Sequence, residues 1–183
     1  MSDKQIEKPI LYFHPISPPS MYCRMLFDYL GVDYTLREIN MGKGEHHHEW
    51  YTEINPKGAV PAIQDTDGFI TNEGNCIVKY TIESREIITD IYPFRKPLQC
   101  AKINQTIEYI VEVFRGASLE ISTKGVLFPL FGISQELEEE EYEHYKENLQ
   151  NALEKIDLFL SKRDPYLLGQ KLTLVDFYLL IRI

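Results

Sequence analysis

An α/β domain followed by an all-α domain is the fold class this sequence predicts, and three observations predict it. Short apolar runs suited to strands fall only between Ile10 and Thr71, with helix-spaced stripes among them. Beyond Ile103 the apolar residues recur at helical spacing alone. Between the halves, Ile91–Pro97 carries two prolines and reads as a linker. The expected bounds are 8–88 for the first domain, 89–96 for the linker and 97–183 for the helical domain.

Ile10–His14 reads as a strand that Pro15, Pro18 and Pro19 end. Tyr22, Met25, Leu26, Tyr29 and Leu30 then mark one face of a helix, and Gly31 stands where a helix-terminating glycine belongs. Tyr34–Ile39 is a second strand, and a strand–helix–strand this compact forms a right-handed parallel unit. Met41–Asn55 is polar and turn-rich, with a short helix around His46–Glu53. Val60–Gln64 and Phe69–Thr71 are short strands joined by the turn signal Asp65-Thr66-Asp67-Gly68. Cys76, Ile77 and Tyr80 mark a third helix ending near Arg85. That order of elements is thioredoxin-like.

In the second half, Ile103, Ile107, Ile110, Val111 and Phe114 form one stripe. Tyr142, Tyr145, Leu149, Leu153, Ile156 and Leu160 form another. Glu138–Glu141 opens this second helix, where acidic side chains suit the positive end of the dipole. Thr173 and Asp176 have capping-box spacing, with Leu172 and Phe177 at the staple positions, so a helix starts at Leu174. The chain stops at Ile183 inside an apolar run, and the expectation is a truncated helical domain.

The formal charge of −9 argues against nucleic acid and anionic membrane surfaces as partners. No run of eighteen apolar residues is present, and the start lacks an apolar signal region. Three cysteines, Cys23, Cys76 and Cys100, stand far apart with no Cys-x-x-Cys pair, which fits a reducing compartment such as the cytoplasm.

Read together, several words resemble the soluble glutathione transferases, and within them the theta-like, serine-using group. They are Leu11-Tyr12-Phe13 with Ser17-Pro18-Pro19-Ser20, Asn55-Pro56-Lys57-Gly58-Ala59-Val60-Pro61-Ala62, and Asn72-Glu73-Gly74. In the second half they are Val126–Gly132 and Leu172–Phe177. The resemblance implies glutathione as co-substrate, no metal, a homodimer, and attack of the thiolate on small electrophiles or hydroperoxides in a detoxifying role. The alternative it leaves is a non-catalytic binding or assembly module, because such domains serve in both ways. In relatives the last helices help wall the electrophile pocket.

By the same resemblance, Pro61 is cis and the Val60 backbone, beside Ala59, pairs with the cysteinyl backbone of glutathione in the manner of strand addition. Glu73 and Gly74 open the third helix and take the γ-glutamyl end on free amides. The family usually has serine where Gly74 stands, so a hydroxyl is missing, and Asn75 is a candidate to compensate. His46 matches the histidine that contacts the glycine carboxylate, with Lys57 as a second candidate there. His47 and His48 extend a triple-histidine run, but adjacent helical side chains diverge and make poor co-ligands. Ser17 is the catalytic candidate, its hydroxyl donating to the glutathione sulfur; Tyr12 and Ser20 are its rivals. Cys23 reads as a packed thiol rather than a nucleophile. Asn104 stands where relatives carry an acidic residue that reaches the partner subunit's glutathione.

Overall fold

A computed structural model describes residues 6–127, 129, 137–160 and 164–181, with the side chains of 159 and 160 outside the description. Two compact units divide the chain, Met1–Ile88 and Thr89–Ile183.

In the first unit, β1 (Ile10–Phe13) leads into α1 (Pro18–Leu30) and β2 (Thr35–Glu38). Two single 3-10 turns, Met41–Lys43 and Glu45–His47, precede the one-turn α2 (Glu49–Thr52). Then come β3 (Ala62–Gln64), β4 (Ile70–Asn72) and α3 (Gly74–Ser84). The sheet order is β2-β1-β3-β4. β1 and β2 run parallel with Leu11 opposite Leu36, and β1 pairs antiparallel with β3, Leu11 opposite Ile63. This is the thioredoxin-like arrangement.

Side chains alternate across a strand, so neighbouring β1 residues serve different cores. Leu11 and its cross-strand neighbour Ile63 are fully buried, as are Leu26 and Phe27 of α1 and Ile77, Val78 and Ile82 of α3. Tyr12 packs instead with Ile39, Tyr51 and Ala62, and Trp50 and Val60 lie partly buried against that cluster. On α1 the buried face is Tyr22, Cys23, Leu26 and Phe27. The expected stripe is therefore rotated by about one residue: Tyr29 is exposed and Phe27 takes the inward place. A helical stripe fixes a face only to within the angle between successive residues, about 100°, and here Phe27 stacks edge-on against Tyr34 (5.2 Å). Gly31 closes α1 at φ +67, a left-handed cap.

The second unit is helical. Its helices are α4 (Pro97–Ile110), α5 (Gly116–Leu119), α6 (Glu139–Leu160) and α7 (Leu174–Leu180), with π-helical turns at Val111–Arg115 and Glu120–Leu127. Ile103, Ile107, Ile110 and Phe114 are buried as the stripe predicts, while on α6 Tyr142 is exposed and Tyr145 and Ile156 are buried. Ile91 and Tyr92, inside the expected linker, are buried, and the Ile91 carbonyl accepts from the Leu174 amide. The Thr173 amide donates to Asp176 Oδ2 (2.8 Å) and the Asp176 amide donates to the Thr173 carbonyl, so α7 starts where the capping residues predict. Most of the Val126–Gly132 stretch lies outside the described residues, as do Ile183 and the Leu160 side chain. No helix among the described residues is long and apolar enough to cross a membrane.

Asp65 ties the β3–β4 hairpin to α3. Its carboxylate accepts from both sides: Arg85 Nη2 at 2.9 Å, Tyr80 Oη at 2.8 Å and the Thr66 amide at 2.7 Å. Burial alone would raise the Asp65 carboxyl, but these donors and the Arg85 charge outweigh it and hold the group below the usual range. Burial, then the adjacent carboxylate, pushes Tyr80 up to about 12. A carboxyl held low in the folded state stabilises above its unfolded value, about 3.9, and loses that contribution as pH falls through the folded one. We expect Asp65→Asn to destabilise the protein by about 2 kcal/mol near pH 7, with the difference from wild type shrinking below about pH 4. Urea melts at both pH values check this.

Candidate functional site

The expected site residues gather where β1 meets α1, where the Asn55–Pro61 turn enters β3, and where β4 meets α3. Ser17 is the N-cap of α1. Its Oγ accepts from the Ser20 amide at 3.4 Å and donates to the Val60 carbonyl at 3.5 Å. The next two residues, Pro18 and Pro19, have no N–H, and the Met21 amide is bonded to the Ser17 carbonyl. The hydroxyl proton is thus held by a long contact, 3.5 Å to the Val60 carbonyl. It is free to turn to a stronger acceptor while the Ser20 N–H keeps the oxygen in place.

The rivals are otherwise engaged. Ser20 does not cap the helix; it is fully buried and its Oγ accepts from the His14 amide (3.3 Å). The Tyr12 hydroxyl donates to Gln64 Oε1 (3.0 Å), and its ring lies among Trp50, Tyr51 and the Arg37 guanidinium. Burial raises the Tyr12 phenol, against the opposing Arg37 charge, which keeps it protonated and structural. Cys23 is fully buried, its Sγ 3.6 Å from the Gly74 carbonyl, and burial pushes its thiol far up.

The Val60–Pro61 bond is cis. The Val60 side chain packs on the Tyr12–Tyr51 cluster, and its amide makes no hydrogen bond among the described residues. Ala59 is exposed, yet its carbonyl accepts two short bonds, from Tyr51 Oη and Asn55 Nδ2, both 2.7 Å. This brace is set by the turn as a whole: Tyr51 and Asn55 act across it to fix the Ala59 carbonyl next to Val60.

Glu73 caps α3 with φ +69, a left-handed value rare for a residue with a side chain and costing about 1–3 kcal/mol. The first amide to be satisfied within α3 is that of Ile77, bonded to the Glu73 carbonyl, so the Gly74, Asn75 and Cys76 amides are open to an anion. Gly74 itself is buried. A Cβ there would stand 3.3 Å from Tyr22 Cδ1, 3.4 Å from the Pro19 carbonyl and 3.5 Å from Cys23 Sγ. Asn75 Oδ1 is enclosed with no hydrogen-bond partner among the described residues.

Lys57 Nζ lies 2.8 Å from Glu73 Oε1, in a pair whose side chains are both exposed. His46 sits in the 3-10 turn before α2, its Nδ1 enclosed and unpartnered. Burial first, then the charges of His47 and His48, lowers its imidazole. The rings of His46 and His47 do not diverge as expected but lie 3.8 Å apart. The stretch is a single 3-10 turn capped at His48, and the two rings meet there at a 44° tilt. Among the described residues no group of three His, Cys, Asp or Glu could hold a metal ion. In the second unit, Asn104 Nδ2 lies 3.5 Å from the Tyr92 hydroxyl.

Two family models match the chain: the glutathione S-transferase N-terminal domain over residues 11–89 and the glutathione S-transferase C-terminal domain over residues 126–182. The chain is 29% identical over 168 residues to the human protein named glutathione S-transferase theta-2B and 27% to rat glutathione S-transferase theta-2. Each alignment covers 91% of this chain and 66% of the relative, so the chain spans just under two thirds of their length. Among solved structures, a human theta-class glutathione transferase in complex with the glutathione conjugate of 1-menaphthyl sulfate superposes with a TM-score of 0.85 at 27% identity. That match covers 96% of this chain and 70% of the other. Human glutathione transferase theta-2, in complex with glutathione and an unknown ligand, gives 0.84 at 26%, covering 95% and 70%.

The tight seat of Gly74 makes a prediction. A serine there must push the fully packed Tyr22 ring, so Gly74→Ser should cost about 1–3 kcal/mol of stability instead of restoring a useful hydroxyl. Thermal melts of Gly74→Ser beside Tyr22→Phe as a control read this directly.

Proposed function

We propose, for a chain that belongs to the glutathione S-transferase family, that it binds glutathione in its first unit and uses Ser17 to stabilise the thiolate for attack on a small electrophile. The observation that carries this is the Ser17 hydroxyl: capped by the Ser20 amide, next to two prolines without N–H groups, and beside the open amide edge of Val60. Glutathione pairs its cysteinyl backbone with Val60, as an added strand would. Its γ-glutamyl end meets Glu73 and the open amides from Gly74 onward, and its glycine carboxylate meets the loop carrying His46.

An unperturbed thiol titrates near 8.5, and lowering that by about two pH units requires about 2.7 kcal/mol of preference for the anion. A hydrogen bond to a charged acceptor supplies about 1.5–3 kcal/mol, and the start of α1 adds about 0.3–1 kcal/mol. Ser17 donates and keeps its proton; the thiol proton leaves to solvent. The thiolate then forms a carbon–sulfur bond as the leaving group departs with its electron pair. With a hydroperoxide it attacks oxygen, the O–O bond breaks, and the resulting sulfenic acid is taken to a disulfide by a second glutathione. A homodimer, a cytoplasmic location and a detoxifying role belong to the same proposal and rest on the family.

Retention on immobilised glutathione, with turnover of chlorodinitrobenzene, an alkyl halide or cumene hydroperoxide, is the expected behaviour. Ser17→Ala should be retained but lose about ten- to a hundredfold in kcat/KM at neutral pH. Its pH–rate profile should move alkaline, toward the thiol's own value of about 8.5. Retention without turnover of any substrate would point to a binding module, and turnover unchanged in Ser17→Ala would reject the serine.

A further inference from the structure

We propose that His14 is a positioning residue for Ser17: its imidazole fixes the turn between β1 and α1 and so sets the direction of the Ser17 hydroxyl. This rests on the serine reading above. It adds a residue that acts through the backbone of the turn rather than on the sulfur.

The turn runs from His14 to Ser17, whose amide donates to the His14 carbonyl at 3.0 Å. Pro15 stands second in it, where its fixed φ suits a β-turn. From His14 to Ser20 three residues are proline and have no amide, which leaves four N–H groups to place. All four are placed inside the segment. The Ser17 N–H goes to the His14 carbonyl, the His14 N–H to Ser20 Oγ (3.3 Å) and the Ser20 N–H to Ser17 Oγ (3.4 Å). These bonds close a circuit that passes through the Ser17 hydroxyl oxygen. The fourth, the Ile16 N–H, goes to His14 Nδ1 at 3.3 Å. His14 thus holds the amide of Ser17 and the amide of the residue before it.

The Ile16 bond gives direction more than stability. Ile16 is exposed, so water would satisfy its amide if the imidazole were gone. An acceptor on the first residue of a turn that takes the amide of the third is the task that aspartate, asparagine and serine perform elsewhere. Here an imidazole performs it, and accepting at Nδ1 places the neutral ring's proton on Nε2. Among the described residues the ring makes no other hydrogen bond. Ser17 needs this bracing because its hydroxyl proton is held only at 3.5 Å by the Val60 carbonyl. Its aim is then set by where the oxygen sits, and the oxygen by the circuit. A donor stabilises a sulfur anion only when it is aimed at it in advance, and a misplacement of about 1 Å can cost about a hundredfold in rate.

Side chains of different reach test this. Asparagine puts an oxygen near the place of Nδ1 and can take the Ile16 amide; glutamine puts it one carbon further out. His14→Asn, His14→Gln, His14→Ala and Ser17→Ala are compared with wild type as full chains. The ultraviolet absorbance of the bound glutathione thiolate, followed against pH, reads ionisation of the sulfur. Steady-state kinetics with chlorodinitrobenzene separates kcat from KM. We expect His14→Ala and His14→Gln to move the thiolate titration alkaline, toward about 8.5. They should lose about tenfold in kcat while KM for glutathione and the melting temperature are retained. His14→Asn should stay close to wild type in both readouts. A titration unmoved by His14→Ala and His14→Gln but shifted by Ser17→Ala would overturn the inference and leave the serine reading standing. So would a shift in His14→Asn as large as in His14→Ala, because the Ile16 bond would then not be its cause. A fall in melting temperature that tracks the loss across the variants would make the role merely structural and overturn it too. A titration unmoved by Ser17→Ala would reject the serine reading, and this inference with it.

Discussion

The carboxamide of Asn55 is the contact on which the site depends. The residue is 1% exposed, and its amide nitrogen donates to the Ala59 carbonyl at 2.7 Å. Its oxygen accepts from the Lys57 amide and, at 3.5 Å, from Asn72 at the end of β4. The Asn55 carbonyl takes the Gly58 amide as well. One buried side chain thus fixes both ends of the turn and joins it to the strand that delivers Glu73. Removing it leaves the Ala59 carbonyl with one donor in place of two and takes the acceptor from the Lys57 amide, at about 0.5–1.5 kcal/mol for each hydrogen bond lost. The larger consequence is geometric. Val60, Lys57 and Glu73 come from different elements, and their mutual positions pass through this amide.

A second constraint lies where α1 and α3 touch. Tyr22 and Cys23 of α1 fill the space in front of Gly74, and the Cys23 thiol points at the Gly74 carbonyl. The two helix starts, one carrying Ser17 and the other Glu73, are held by that contact. Their close approach leaves a Cβ at 74 only 3.3 Å from Tyr22 Cδ1, so a side chain there must push that ring aside.

Much of this was legible in the residues, because the signals are local. Ser17-Pro18-Pro19 announces a helix start, Gly31 its end, Asp65–Gly68 a hairpin, and Thr173 with Asp176 a capped helix; each depends on neighbours within four residues. What stayed hidden was set across the fold. The Lys57–Glu73 pair spans sixteen positions, and nothing in either segment names the other. Tyr12 was a rival to Ser17 until strand parity turned it to the face that holds Gln64 and Tyr51. The buried face of α1 lies one residue from the expected stripe, because Tyr29 and Phe27 are both aromatic and only packing against Tyr34 chooses between them. The 3.8 Å approach of the His46 and His47 rings is likewise a matter of how the turn packs, which the run of histidines does not announce.

The frame around Ser17 is legible in the chain, and the frame around Glu73 is not. At Ser17 two prolines within four residues lack amides, and a buried Ser20 engages its own hydroxyl. At the start of α3 a left-handed backbone at Glu73, a closely packed Gly74 and a lysine from a distant turn come together across the fold. Lysine is a compact charge on a flexible stem, and the turn braced by Asn55 gives that stem a fixed root.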